Sequence, residues 1–372
     1  MTIQTSHVGS LPRSQKVVDY IFAREKGEDY NEIEFDQVMT EAVNDTVRRQ
    51  KKAGITIVSD GETSKISYAT YVKDRYHGFA GDSPRNAPAD LKKFPNYLQK
   101  LANDGGTPKY ARPMCVSKLE PKKNDDLIKD IDNLKKALKG NDIKKGFMNA
   151  ASPGVISLFL QNDYYPSRED YLEALSNLMQ SEYEMIVKSG LDLQIDCPDL
   201  ALSRHMLFND MTDDEFVKIA SINIESLNNA LRNIPKDRIR IHICWGNYEG
   251  PHVCDISISK MFETLMNVKT GHILFEAANP RHAHEWEVFE EKKNLIPDDL
   301  ILMPGVIDTT TNFVEHQNLV VQRLKNFTNI VGNERVIGSS DCGFGTFAGF
   351  GTIDPDIAYE KLKVLAEGAA KV

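Results

Sequence analysis

Residues 240–252 read RIHICWGNYEGPH: an apolar run carries a histidine and a cysteine two positions apart, then breaks into a glycine-containing loop. In a β-strand, positions i and i+2 face the same way, so His242 and Cys244 project together from the strand's C-terminal end. Working outward, the same sequence of short apolar run, loop and amphipathic helical stretch recurs from about residue 143. The predicted strands are IKKGFMNA (143–150), LDLQIDC (191–197), RIRIHICW (238–245), GHILFEAAN (271–279), ILMPGVID (301–308) and RVIGSSDCG (335–343). Between them, helices are predicted over 168–190, 213–234, 258–268 and 310–327, and a last one over 355–372. Two further units fit upstream, beginning with IQTSHVG (3–9) and ITIVSDGE (55–62).

Eight β-then-α units in one order predict a (β/α)8 TIM barrel; a doubly wound parallel sheet is the competing arrangement. The chain is 372 residues long, and α/β barrels of about 250 residues grow further by insertion, so a single domain over 1–372 is expected. Residues 63–141 are rich in Pro, Gly, Lys and aromatics and read as an insertion after the second strand, with its own hairpin at TPKYARPMCVSKLEP (107–121).

Composition narrows the function classes. An apolar fraction of 41% and a charged fraction of 27% suit a globular chain with a substantial core. The formal net charge of −9 argues against nucleic-acid binding, which needs a clustered excess of Lys and Arg. No apolar run approaches the roughly 20 residues of a membrane span, and the N-terminus lacks a signal peptide's apolar core. A cytoplasmic protein is expected, in which Cys115, Cys197, Cys244, Cys254 and Cys342 stay reduced.

Active sites of barrels lie at the C-terminal ends of the strands. Beside His242 and Cys244, two more predicted strands end in ligand chemistry: Glu276 in FEAAN and Cys342 in SSDCG. Two thiols, an imidazole and a carboxylate are zinc-type donors, although each residue taken singly also reads as core filler or a helix cap. His252, Cys254, His282 and His284 repeat the residue types away from strand ends and read as structural or supporting groups, as do Cys115 and Cys197.

The spaced set His242, Cys244, Glu276 and Cys342 resembles the zinc site of the cobalamin-independent methionine synthases, whose catalytic domain is a (β/α)8 barrel. The likeness extends to SHVGSLPRS (6–14), VSDGE (58–62), LQIDCPDL (193–200) and MPGVID (303–308). The chain resembles the catalytic half of that family standing alone. The resemblance implies a Zn2+ cofactor held by His242, Cys244, Glu276 and Cys342, which would activate the thiol of homocysteine for methylation to methionine. It implies that Val8 to Ser10 receive the substrate carboxylate, and that Glu62 and Asp196 are the catalytic pair holding its ammonium. Read alone, Glu62 is a turn residue and Asp196 a strand-end cap.

Two departures concern the methyl donor, methylfolate or a methylated corrinoid. Where the family's folate enzymes supply a histidine after the motif at 305–308, this chain has Thr309, Thr310 and Thr311. The tryptophan on which the pterin stacks has no counterpart in NAASPGVISLF (149–159). The alternative is an alkyltransferase acting on another thiol, like the epoxyalkane:coenzyme M transferases, which the chain resembles around HICWGNY (242–248). A thiol without an amine would have no use for both Glu62 and Asp196. A barrel with a purely structural zinc and a binding role is the third reading.

Overall fold

The apolar runs after residue 143 are strands in the computed structural model, which describes residues 2–85, 87–103, 110–123, 125–351 and 353–372. In chain order the strands are β1 (Gln4–Thr5), β2 (Tyr76–Ala80), β3 (Met114–Pro121), β4 (Phe147–Ala151), β5 (Asp192–Asp196), β6 (Ile239–Ile243), β7 (His272–Glu276), β8 (Ile301–Ile307) and β9 (Ile337–Ser340). Seven of them form a parallel sheet in the order β1-β9-β8-β7-β6-β5-β4. Every residue of β4, β6 and β9 is buried, which is why these strands read as continuous apolar runs and not as an alternation.

The sheet closes through the short extended segment at 55–58. Ile57 N–H donates to Thr5 O at 3.0 Å on one side. On the other, Phe147 N–H donates to Val58 O at 2.9 Å and Val58 N–H to Lys145 O at 3.3 Å. This segment is the second barrel strand, so the eight-stranded (β/α) barrel expected from the sequence is the fold observed.

The outer helices begin where their caps place them. Thr212 and Glu215 form a reciprocal capping box at the start of Asp213–Ala230, and Ser167 caps Arg168–Lys188. The helix predicted from Thr310 begins at Gln317 instead. The Asp308 carboxylate captures the amides of Thr310 and Thr311 at 3.0 and 2.9 Å, which holds these residues in a turn, and His316 caps the helix.

The hairpin predicted within 107–121 is not formed locally. Thr107, Pro108 and Lys109 lie outside the described residues; β3 pairs antiparallel with the distant β2, Tyr76 opposite Pro121 and Ala80 opposite Met114. Pro113 directly before β3 has no amide to donate, while the β2 run YHGFA supplies a partner whose register shifts between His77 and Phe79. Helix Asp125–Gly140 then leads the chain back to β4.

A buried ion network joins this segment to the barrel. Arg75 meets Glu182 at 2.8 Å and Asp130 at 2.7 Å, and Tyr71 donates to Glu182 at 2.6 Å. Such a network holds one geometry because removing any partner strands a buried charge.

Candidate active site

His242 lies within β6, one residue before its end, and Cys244 directly follows the strand; Cys342 lies two residues beyond β9. All three are buried, and their ligand atoms lie within 4.8 Å of one another. His242 Nε2 is 3.8 Å from Cys342 Sγ. A hydrogen bond from Cys342 holds the Cys244 thiol below the usual range against the effect of burial, while the same bond and burial push Cys342 well up. Burial alone would lower the His242 imidazole, yet the neighbouring Cys244 and Asp196 raise it to about 9. Two sulfurs sharing a proton beside an imidazole are poised to exchange protons for a cation. Two sulfurs and one nitrogen also fit a borderline-soft divalent metal ion.

Glu276, the last residue of β7, stands one peptide away from the cluster and outside that set of three. Its Oε1 accepts the amide of Trp245 at 2.9 Å and its Oε2 accepts Asn279 Nδ2 at 2.9 Å. Burial raises its pKa. Between Glu276 and Cys342 the chain places Asp341, which the motif reading did not single out. Its carboxylate accepts the amides of Ala277, Ala278 and Asn279 at 2.9, 2.9 and 2.6 Å, and its carbonyl lies 3.2 Å from His242 Nε2. Asp341 thereby ties the end of β7 to the end of β9; the only hint in the sequence was its place directly before Cys342.

Asp196 ends β5 beside His242. Its Oδ1 is 3.2 Å from His242 Nδ1, and its Oδ2 accepts Asn149 Nδ2 at 3.0 Å. Asn149 also donates to Val8 O at 2.9 Å, which links Asp196 to the N-terminal loop. In that loop Val8 N–H donates to Ser340 Oγ at 3.2 Å, and Ser10 Oγ accepts Gly345 N–H at 3.4 Å. Val8, Ser10, Asp196 and the two cysteines are therefore joined through neighbouring loops at one mouth of the barrel.

Glu62 has a left-handed backbone, φ 54°, rare for a residue with a side chain and concentrated at functional positions. It is 2% exposed, and its Oε2 has no hydrogen-bond partner. Burial, reinforced by the Asp196 charge, raises its carboxyl to about 8. Arg13, also missed in the sequence, holds this loop: its guanidinium donates to the carbonyls of Glu62 and Gly345 at 2.6 Å each, and to Lys65 O at 3.1 Å. Lys65 in turn donates to Asn149 O at 2.6 Å.

His252 and His282 are supports. Asp255 Oδ2 meets His252 Nδ1 and His282 Nε2 at 2.9 Å each, and His282 stacks on Trp245 with centroids 4.0 Å apart. Trp245 is thereby enclosed, with Nε1 bonded to Ile256 O at 2.6 Å, and is not a free stacking platform. Cys115 and Cys197 are buried free thiols raised by that burial. Thr309 ties the mouth together through Asn247, which donates to Gly343 O and Thr346 Oγ1 at 2.7 and 2.6 Å.

No family model matches the chain. It is 25% identical over 368 residues, 98% of this chain and 92% of the relative, to a methionine synthase of Thermococcus kodakarensis. It is 24% identical over 401 residues, 99% of this chain and 94% of the relative, to a 2-hydroxypropyl-CoM lyase of Xanthobacter autotrophicus. Among solved structures, a B12-independent methionine synthase from Shewanella sp. W3-18-1 in complex with selenomethionine superposes with a TM-score of 0.73 at 19% identity. That match covers 99% of this chain and 97% of the other. The fold is thus a (β/α)8 barrel shared with that structure. Along nearly its whole length the chain is similar to methionine synthases.

Proposed function

We propose that the protein transfers a methyl group to the thiol of homocysteine, giving methionine, with Zn2+ as cofactor. The observation that carries this reading is the convergence of buried His242, Cys244 and Cys342 at the barrel mouth, with Glu276 one peptide away. These four residues would hold the metal, Glu276 by turning from the Trp245 amide. When bound, Zn2+ supplies Lewis acidity that keeps a thiol ionised and nucleophilic at neutral pH.

The protein's own groups orient the amino acid. Glu62 and Asp196 suit its ammonium: Glu62 Oε2 is unpartnered and the Asp196 charge acts on the same carboxyl, so a cation bound by both would satisfy both. With its carboxyl near 8, Glu62 is protonated at neutral pH and gives up a proton as the ammonium arrives. The Val8–Ser10 loop would receive the carboxylate. The buried walls exclude water, and holding acceptor and donor in line supplies the remaining advantage.

The full-length likeness to a CoM lyase favours, as a second reading, alkyl transfer to a different thiol. Cobalt substitution separates the two. With homocysteine a new thiolate-to-metal absorption band is expected, and with 2-mercaptoethanesulfonate none. A band with the sulfonate alone selects the second reading, and no band with either thiol overturns both. We also read residues 1–372 as one domain with 63–141 inserted, and the donor as methylfolate or a methylated corrinoid.

A further inference from the structure

Arg112 is 8% exposed, and its Nε is buried without a hydrogen-bond partner. Among the described residues no carboxylate pairs with it, whereas the buried Arg75 has two carboxylates and the half-buried Arg24 pairs with Asp126. Burying a guanidinium is costly, and burial does depress this one below its ordinary range, against the weaker opposing pull of Tyr110, Tyr68 and the unbonded Asp82. One face is covered by Phe159, whose ring centre lies 4.9 Å from the guanidinium carbon. That leaves the N–H edge, the part of arginine that matches carboxylate, phosphate or sulfonate with paired hydrogen bonds.

The surroundings lead from Arg112 to the thiol site. Phe159 meets Tyr68 edge-on at 5.9 Å, Tyr68 meets Phe347 at 6.1 Å, and Phe347 stacks on Tyr110 at 5.5 Å. A second guanidinium, Arg85, lies 5.3 Å over Tyr110. Tyr68 belongs to the loop that carries Glu62, and this loop bonds to the one following Cys342 through Ala348 N–H to Ile66 O at 2.9 Å. Tyr68 also lies within the electrostatic reach of Cys244, Asp196 and Cys342.

We propose that Arg112, with Arg85 beside it, forms a subsite for an oxyanion group of a reactant, the aromatic wall of Tyr68, Phe159 and Phe347 connecting that subsite to the thiol centre. This rests on the methyl-transfer reading. If Val8–Ser10, Glu62 and Asp196 take both ends of homocysteine, the oxyanion belongs to the alkyl donor; if the acceptor is a sulfonate thiol, it belongs to the acceptor.

The test is calorimetric titration of the zinc-loaded full chain with matched probes. One pair is 2-mercaptoethanesulfonate against 2-mercaptoethanol, and the other p-aminobenzoylglutamate against p-aminobenzamide. Wild type should prefer the anionic member of one pair by about tenfold or more. Arg112→Gln should abolish that preference and Arg112→Lys keep part of it. The pair that responds identifies acceptor or donor. The proposal is overturned if wild type shows no preference in either pair, or if Arg112→Gln leaves it intact; should Arg112→Gln fail to fold, Arg112→Lys and Arg85→Gln must each weaken it. Homocysteine titrated in parallel reports separately on the methyl-transfer reading.

Discussion

Asp196 Oδ1 lies 3.2 Å from Nδ1 of His242, so one carboxylate both orients the imidazole of the metal-type cluster and acts electrostatically on the buried acid Glu62. An imidazole whose Nδ1 is engaged presents Nε2 toward Cys342. Asp196→Ala is expected to lower zinc affinity about 10–100-fold and to weaken homocysteine binding as well. Chelator competition reads the first effect and calorimetry the second. An unchanged zinc affinity would separate Asp196 from the metal.

Glu62 carries the clearest pH signature. Its pKa is raised from 4.5 unfolded to about 8 folded, so the unfolded chain releases a proton that the native chain retains. Native stability is therefore lost as pH rises from about 4.5 toward 8. Glu62→Gln removes this loss and should stabilise the protein at pH 8 by on the order of 4 kcal/mol, with little gain at pH 4.5. Urea unfolding at the two pH values measures it, and homocysteine binding should fall at the same time.

Zinc removal should leave the barrel folded, because its apolar core stands without the metal, but abolish thiol binding. Metal at a hundredfold excess over its dissociation constant stabilises the native state by about 2.7 kcal/mol. Cys342→Ser should erase most of that increment, visible as a thermal midpoint that no longer responds to chelator.

Gly9 sits where a Cβ would come within 2.4 Å of Asn149 Nδ2, the group that bonds both Val8 and Asp196. Its φ of 155° adds strain for any other residue. Gly9→Ala should cost about 1–3 kcal/mol and raise KM for homocysteine more than it lowers kcat. Equal kinetic constants would show that the Asn149 bridge does not position substrate.

The barrel was legible because parallel strands buried on both faces leave unbroken apolar runs, and amphipathic helices keep their 3.6 period. The third member of the cluster, Cys342, was legible for the same reason: it follows such a run. What escaped notice works through polar contacts between distant loops. Arg13, Asp341 and Asn149 lay inside quoted motifs with no role read for them, and the strand partner of Met114–Pro121 lay too far upstream to be matched by local pattern.

By itself the sequence determined the order of the β/α units and the residues at the strand ends, since both follow from local periodicity and chain direction. Tertiary structure alone decided that His242, Cys244 and Cys342 meet within 4.8 Å while Glu276 turns to the Trp245 amide. It alone decided that Glu62 Oε2 and Arg112 Nε are buried without a hydrogen-bond partner among the described residues. Burial and missing hydrogen-bond partners are properties of surroundings assembled from distant parts of the chain, and no local stretch encodes them.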